Sequence, residues 1–61
     1  MSKLFRVIEL RENGEKLEYD ESTSIERARS DCDSLGSILE DSRSSSVAIV
    51  ENRLRNEVYR T

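Results

Sequence analysis

The sequence predicts a small α+β domain in which one helix packs on a four-stranded antiparallel sheet, with the elements in the order ββαββ. Three observations support this fold class. The stretch from Thr23 to Glu40 repeats its apolar residues at helical spacing. Two strand-like runs precede it and are separated by Asn13-Gly14. Two further strand-like runs follow it, and they need the helix as a packing partner because a hairpin alone is not stable in water.

The first hairpin is predicted by Asn13-Gly14, since this dipeptide between apolar runs is a strong signal of a two-residue turn. The register expected for that turn pairs apolar residues with each other and charge with countercharge: Leu10 with Leu17, Ile8 with Tyr19, and Arg6 with Glu21. The alternative is a three-residue loop with a bulge. It would pair Val7 with Tyr19 and Glu9 with Leu17.

The helix is expected to begin at Thr23 and to end near Glu40. At about 100° per residue, five apolar side chains fall in one stripe: Ile25, Ala28, Cys32, Leu35 and Leu39. Thr23 and Glu26 have the spacing of a capping box. Gly36 also lies on the stripe, where it either admits a neighbouring backbone or is simply tolerated near a helix end.

The last two strands are expected at Val47–Val50 and Glu57–Arg60, joined by a loop of five residues that contains Leu54. This arrangement would pair Val50 with Val58 and Ile49 with Tyr59. A helix crossing from the second strand to the third makes those two strands parallel, and a right-handed crossover is most simply obtained if the first strand lies between them. The predicted strand order is therefore 2-1-3-4.

Size and composition restrict the function. Residues 1–61 are expected to form one domain, which is too small to build a cleft walled on several sides. The chain has no histidine, so histidine acid–base chemistry and histidine-ligated zinc are excluded. Motifs for nucleotide binding or nucleophilic catalysis are also absent. We therefore expect a non-enzymatic protein with no cofactor, metal or small-molecule substrate.

The same composition predicts a cytoplasmic location. No apolar run approaches the length of about 18 residues that a membrane span needs, and the first residues lack a hydrophobic signal core. Cys32 is the single cysteine, and its place on the apolar stripe predicts a core residue, not a disulfide. With a net charge of −3, the chain is acidic and is not expected to bind membranes.

The candidate binding surface is the sheet face that the helix leaves uncovered. If Ile8 and Leu10 meet the helix together with Leu4, Leu17 and Tyr19, then Phe5 and Val7 point away from it. The second hairpin divides into two sets, and the sequence leaves open which one faces the helix: Val47, Ile49 and Tyr59, or Ala48, Val50 and Val58. Either arrangement leaves several apolar residues on the uncovered face.

Contiguous exposed apolar patches mark contact sites on proteins, so we expect this face to bind a protein partner or a second copy of the chain. The candidate partner-binding residues are Phe5, Val7, Val50, Val58, Arg53 and Arg55. The alternative is that cationic side chains fold their stems over scattered apolar atoms and leave no patch. The cations considered for this are Lys3, Lys16, Arg53 and Arg60.

A second function is considered because arginines are concentrated near the C-terminal end of the sequence. Arg53, Arg55 and Arg60 would contact phosphates, with Tyr59 as a stacking ring, in a nucleic-acid-associated accessory protein. The acidic net charge argues against this function, since nucleic-acid binding normally needs a broad basic surface. Nucleic acid is therefore ranked below a protein partner.

The element order and small size are similar to those of several very small regulators, among them phage-encoded inhibitors of host enzymes. This similarity concerns size and topology and involves no specific residue. It implies a role as a small regulator or inhibitor.

Overall fold

A computed structural model describes residues 4–61. Its elements are β1 (Phe5–Leu10), β2 (Lys16–Ser22), α1 (Ile25–Asp41), β3 (Val47–Glu51) and β4 (Glu57–Arg60). The strands form one antiparallel sheet in the order β2-β1-β3-β4, with α1 packed on one face. The predicted fold class, element order and strand order are confirmed. Lys3 lies outside the described residues.

The first hairpin turns on three residues and not on two. The Arg11 N–H donates to the Glu15 carbonyl at 2.8 Å, and the Gly14 N–H donates to the Arg11 carbonyl at 2.9 Å. Gly14 has φ +90°, so the loop is a type I turn completed by a residue in the left-handed region. The observed pairs near the turn are Leu10 with Lys16, Glu9 with Leu17, and Ile8 with Glu18.

A bulge then restores the register of the two-residue turn. Val7 lies opposite Asp20, which leaves Tyr19 as the extra residue of β2, and Arg6 lies opposite Glu21 as predicted. Two predicted pairs, Leu10–Leu17 and Ile8–Tyr19, are wrong. Of the two pairs that the three-residue loop predicts, Glu9–Leu17 is confirmed and Val7–Tyr19 is wrong.

The second hairpin has the expected five-residue loop between β3 and β4, but its register also contains a bulge. Val50 lies opposite Tyr59, Ile49 opposite Arg60, and Glu51 opposite Glu57. Val58 is therefore the extra residue of β4, and the predicted pairs Val50–Val58 and Ile49–Tyr59 are wrong. Tyr59 consequently lies on the same face as Val50 and not with Ile49.

The helix begins after Ser24 and not after Thr23. The Ser24 hydroxyl accepts a hydrogen bond from the Arg27 N–H at 3.4 Å, so the predicted capping box of Thr23 with Glu26 is wrong. The reason is that β2 continues to Ser22, whose hydroxyl accepts from the Ser24 N–H at 3.1 Å. This contact holds a tight turn in which Ser24 becomes the last residue before the helix.

The end of α1 is closed by a left-handed arginine. The Ser44 N–H donates to the Leu39 carbonyl at 2.9 Å, and the Arg43 N–H donates to the Glu40 carbonyl at 3.0 Å. These are the two hydrogen bonds of a Schellman motif, in which glycine is the usual residue at the position of Arg43. Arg43 adopts φ +56° there.

The core forms between the helix stripe and β1 and β3. Four predicted stripe residues are buried and Ile25 is partly buried. Gly36 lies against Thr61, since a Cβ at Gly36 would stand 2.7 Å from the Thr61 Oγ1. The close approach considered for Gly36 therefore involves a side chain, not a backbone.

Candidate interaction surface

The helix covers the sheet face that the sequence analysis assigned to partners. Val7 and Val50 are fully buried with α1, and Phe5 packs against the same cluster. The prediction that Phe5 and Val7 point away from the helix is wrong. Val7 pairs with Val50 across two neighbouring strands, which places both on one face. Neither valine is accessible to a partner while the domain is folded.

The helix-free face is built from alternate residues of the two central strands. They are Arg6, Ile8 and Leu10 of β1 and Val47, Ile49 and Glu51 of β3. Ile8 is 3% exposed and Ile49 is 2% exposed, although the one helix of residues 4–61 lies on the other face. This face therefore does not present the apolar patch that the sequence analysis expected.

Lys16 explains how Ile8 is buried. Lys16 is the first residue of β2 and lies opposite Leu10 of β1, but its ammonium reaches the Glu51 carboxylate on β3 at 2.5 Å. The aliphatic stem must therefore cross β1 beside Ile8. For Lys16, the alternative in which cationic stems cover apolar atoms matches the structure.

Glu51 is the charged centre of the helix-free face. Its side chain is 2% exposed, and its carboxylate is paired with Lys16 and with the Arg6 Nη2 at 3.4 Å. A buried carboxylate needs such partners because its desolvation is costly. A hollow of about 200 Å³ adjoins this group, and we call it the cationic hollow. It is lined by Arg6, Ile8, Lys16, Glu18, Glu51 and Arg55.

The loop of residues 52–56, between β3 and β4, is held by its own hydrogen bonds. The Asn52 Oδ1 accepts from the Leu54 N–H at 2.9 Å and from the Asn56 N–H at 3.0 Å. The Asn52 N–H donates to the Asn56 carbonyl, and the Arg55 N–H donates to the Asn52 carbonyl, both at 3.0 Å. Arg55 has φ +62°, a conformation that costs a residue other than glycine about 1–2 kcal/mol. The backbone of this loop is therefore well defined.

This loop presents Leu54 to solvent. Leu54 is 79% exposed, more than any other large apolar side chain of the described residues. It adjoins an apolar hollow of about 170 Å³ lined by Leu4, Phe5, Asn52, Arg53 and Leu54. We call Leu4, Phe5, Arg53, Leu54 and Arg55 together the loop-end surface.

The structure brings together half of the predicted partner-binding residues. Phe5, Arg53 and Arg55 belong to the loop-end surface, whereas Val58 is half-exposed on β4 and lines neither hollow. Leu54, the most exposed apolar residue of this surface, was not among the predicted partner-binding residues. A bulky apolar residue between two arginines in a predicted loop is the sequence signal that could have identified it.

The residues proposed for nucleic-acid binding do not converge. Arg60 forms two hydrogen bonds to Glu57, at 3.0 and 2.7 Å, and this pairing lowers the pKa of Glu57. The Tyr59 hydroxyl donates to Asp33 at 2.7 Å, which raises the pKa of Tyr59, and the Arg29 guanidinium lies 4.8 Å from the Tyr59 ring centre. Neither side chain lies with Arg53 and Arg55 in the loop-end surface.

Comparisons of the chain with protein-family models, curated proteins and solved structures found no match. Within residues 4–61, no group of three or more acidic or cysteine side chains is arranged to hold a metal ion. The described part of the chain also contains no helix with the length and apolar character of a membrane span.

Proposed function

We propose that this chain is a small non-enzymatic interaction module, acting as a regulator or inhibitor, that binds a protein partner through the loop-end surface. The observation that carries the proposal is the exposed Leu54 on a loop fixed by Asn52. A cytoplasmic location is part of the proposal, and the single buried Cys32 fits it.

Rigid presentation of Leu54 favours binding. An ordered loop loses little conformational entropy when a partner docks, so more of the contact energy remains as affinity. An apolar side chain beside an apolar hollow also provides the kind of anchor on which binding energy concentrates. Arginine is enriched in protein–protein interfaces, and Arg53 and Arg55 flank Leu54 directly.

The helix-free sheet face supports the proposal less well than the loop-end surface does. Its central apolar residues, Ile8 and Ile49, are already buried. Its charges are largely paired, since Glu51 binds Arg6 and Lys16, and Glu57 binds Arg60. A partner would have to displace these contacts before it reached apolar surface.

The proposal is tested by comparing Leu54→Asp with Ile38→Asp in partner capture from cell extract. Ile38 is an exposed apolar residue of α1, far from the loop in sequence, and serves as the matched control. We expect Leu54→Asp to abolish capture of any specific partner and Ile38→Asp to retain it, with circular dichroism unchanged in both. Loss in both variants or in neither would contradict the proposal.

Self-association through the same surface is measured by light scattering behind size exclusion. A dimer that forms with increasing concentration and is lost in Leu54→Asp would identify a second copy of the chain as the partner. A dimer that survives this substitution would place self-association elsewhere.

Nucleic acid remains the second candidate because Arg53 and Arg55 form no ion pair among residues 4–61. A gel shift with single-stranded and duplex oligonucleotides at low salt tests it, since phosphate contacts are strongest there. Complex formation that weakens steeply with salt would favour this function. Its absence at low salt would remove it.

A further inference from the structure

The two hollows at this end of the sheet share the 52–56 loop. Arg53 and Leu54 line the apolar hollow, and Arg55 lines the cationic hollow. Phe5 and Arg6 are successive residues of β1 and therefore face opposite sides of the sheet. A chain segment that crosses the sheet end over Leu54 would reach both hollows.

The charges at this end are unbalanced in favour of cations. Residues 52–56 contain two arginines and no acid. The cationic hollow has three cations, Arg6, Lys16 and Arg55, against the two acids Glu18 and Glu51. The Glu51 carboxylate is already engaged by Arg6 and Lys16, whereas Arg55 forms no ion pair within residues 4–61. A guanidinium without an ionic partner is well suited to bind a carboxylate through paired hydrogen bonds.

We propose that the loop-end surface recognises an acidic protein segment carrying one bulky apolar side chain. The apolar side chain enters the apolar hollow, and a neighbouring carboxylate pairs with Arg55 at the cationic hollow. This inference rests on the proposed function and specifies the chemistry of the partner. The apolar hollow favours a peptide over a nucleic acid, because three of its five lining residues, Leu4, Phe5 and Leu54, are apolar and only Arg53 could pair with a phosphate.

The test uses three synthetic peptides of equal length, titrated into the isotopically labelled protein and followed by its amide resonances. One peptide has a central phenylalanine flanked by glutamates, one has the same phenylalanine flanked by lysines, and one has serine in place of phenylalanine between glutamates. We expect the first peptide to shift the amides of Arg53, Leu54 and Arg55 and to bind more tightly than the other two. Equal or tighter binding of the lysine peptide, or shifts confined to other regions, would overturn the inference.

The contribution of Arg55 is isolated with a matched pair of variants. Arg43 and Arg55 are both arginines with positive φ, so glycine at either position removes one charge and is compatible with the backbone. We expect Arg55→Gly to weaken binding of the glutamate–phenylalanine peptide about threefold to fivefold, the scale of one exposed ion pair. Arg43→Gly should leave the affinity unchanged, and equal losses in both variants would overturn the pairing of the carboxylate with Arg55.

Failure of this inference can be separated from failure of the proposed function. If Leu54→Asp abolishes partner capture but no peptide binds, the interaction module stands and the ligand chemistry is wrong. If no peptide binds and Leu54→Asp leaves capture intact, both are wrong. An oligonucleotide that shifts the same amides at lower concentration than the peptide would overturn the ligand class in favour of nucleic acid.

Discussion

The two faces of this sheet bury apolar residues by different means. On the covered face, Val7, Ala48 and Val50 pack against the apolar stripe of α1. On the helix-free face, Ile8 and Ile49 are almost as well buried, although no helix or strand of residues 4–61 lies above them. Over Ile8, the cover includes the long charged side chain of Lys16, which crosses β1 to reach Glu51.

This difference shows that burial alone does not identify the core of a very small domain. Val50 and its neighbour Ile49 are both nearly inaccessible to water, yet only Val50 is enclosed by packed apolar groups. Ile49 lies outside the cluster that packs against α1. The two positions should therefore respond differently to the same substitution.

The largest effect is expected from introducing lysine at these two neighbouring positions. Val50→Lys places an ammonium under the helix with no route to water, which costs several kcal/mol and should unfold a domain of this size. The lysine of Ile49→Lys can direct its ammonium across the helix-free face toward Glu51 or Glu57, so a loss of only about 1–3 kcal/mol is expected. Urea unfolding followed by circular dichroism measures both.

If Ile49→Lys unfolds the protein as completely as Val50→Lys does, the helix-free face is packed as rigidly as the core, and the distinction between the two faces is wrong. Leu35→Asp serves as the positive control, since Leu35 lies in the buried stripe of α1.

A smaller effect is expected from Cys32 at high pH, and it tests whether water reaches the covered face. Burial, with a contribution from the nearby Asp33 carboxylate, raises the pKa of the thiol from 9.0 to about 11. Below pH 9 the thiol is protonated in both the folded and the unfolded state, so its full contribution to the free energy of unfolding is present. Between pH 9 and 11 the unfolded thiol ionises while the folded one does not, and stability should fall by up to about 3 kcal/mol.

The measurement is the free energy of unfolding from pH 8 to pH 11, compared between the wild type and Cys32→Ala. Tyrosine and lysine titrations affect both proteins and cancel in the difference. The wild type should lose stability faster than Cys32→Ala above pH 9. Parallel curves would mean that water reaches the thiol.

On the helix-free face, the buried Glu51 should make Lys16 more important than other cations of equal exposure. Lys16 and Arg60 are 48% and 49% exposed and each pairs with a glutamate, but Glu51 is buried whereas Glu57 is 39% exposed. Lys16→Ala should cost about 1–2 kcal/mol, because it leaves a buried carboxylate with Arg6 as its remaining partner. Arg60→Ala should cost less than Lys16→Ala, because both members of the Arg60–Glu57 pair are exposed and solvent screens their attraction.

A double substitution checks the origin of this loss. Lys16→Met with Glu51→Leu removes both charges and retains apolar volume, so it should recover most of the stability lost in Lys16→Ala. A double variant as unstable as Lys16→Ala would indicate that the stem of Lys16, and not its charge, stabilises the face.

Much of the fold could be predicted from the sequence because its signals are periodic and local. The stripe of α1 and the strand order follow from apolar spacing and the handedness of crossovers. The registers could not be predicted, since a bulge at Tyr19 or at Val58 shifts a strand by one residue without changing its composition. The helix start was ambiguous because Thr23 and Ser24 are both good capping residues.

The candidate site was harder to predict than the fold. Arg53 and Arg55 were identified by their charge, but the orientation of β1 was wrong. Phe5 and Val7 form one apolar set and Ile8 and Leu10 another, so alternation alone did not distinguish the two faces. The packing of Val7 and Val50 against the stripe of α1 decides it, and such a long-range contact leaves no local signal.

The charged groups of the two faces also differ, since those on the helix-free face attract each other and those beside the covered face repel each other. On the helix-free face, Glu51 lies between two cations. Beside the covered face, Asp31 of α1 and Asp20 of β2 bring two carboxyls together, and the hydrogen bond between them raises the pKa of Asp31, with further increases from burial and from the charge of Asp20. Arg27 opposes this shift in part.

The smallest predicted effect follows from this pair. Because the pKa of Asp31 is higher in the folded state, its stabilising contribution is complete below its ordinary pKa and is lost as the pH rises through the raised value. Above the raised value, the ionised carboxylate of Asp31 lies beside Asp20, so Asp31→Asn should stabilise the protein there by less than about 1 kcal/mol. Thermal unfolding at pH 7 and at decreasing pH should show a gain that shrinks with acidification. In an Asp20→Asn background the gain should disappear at every pH, and a gain that persists there would assign the effect to the helix and not to its contact with β2.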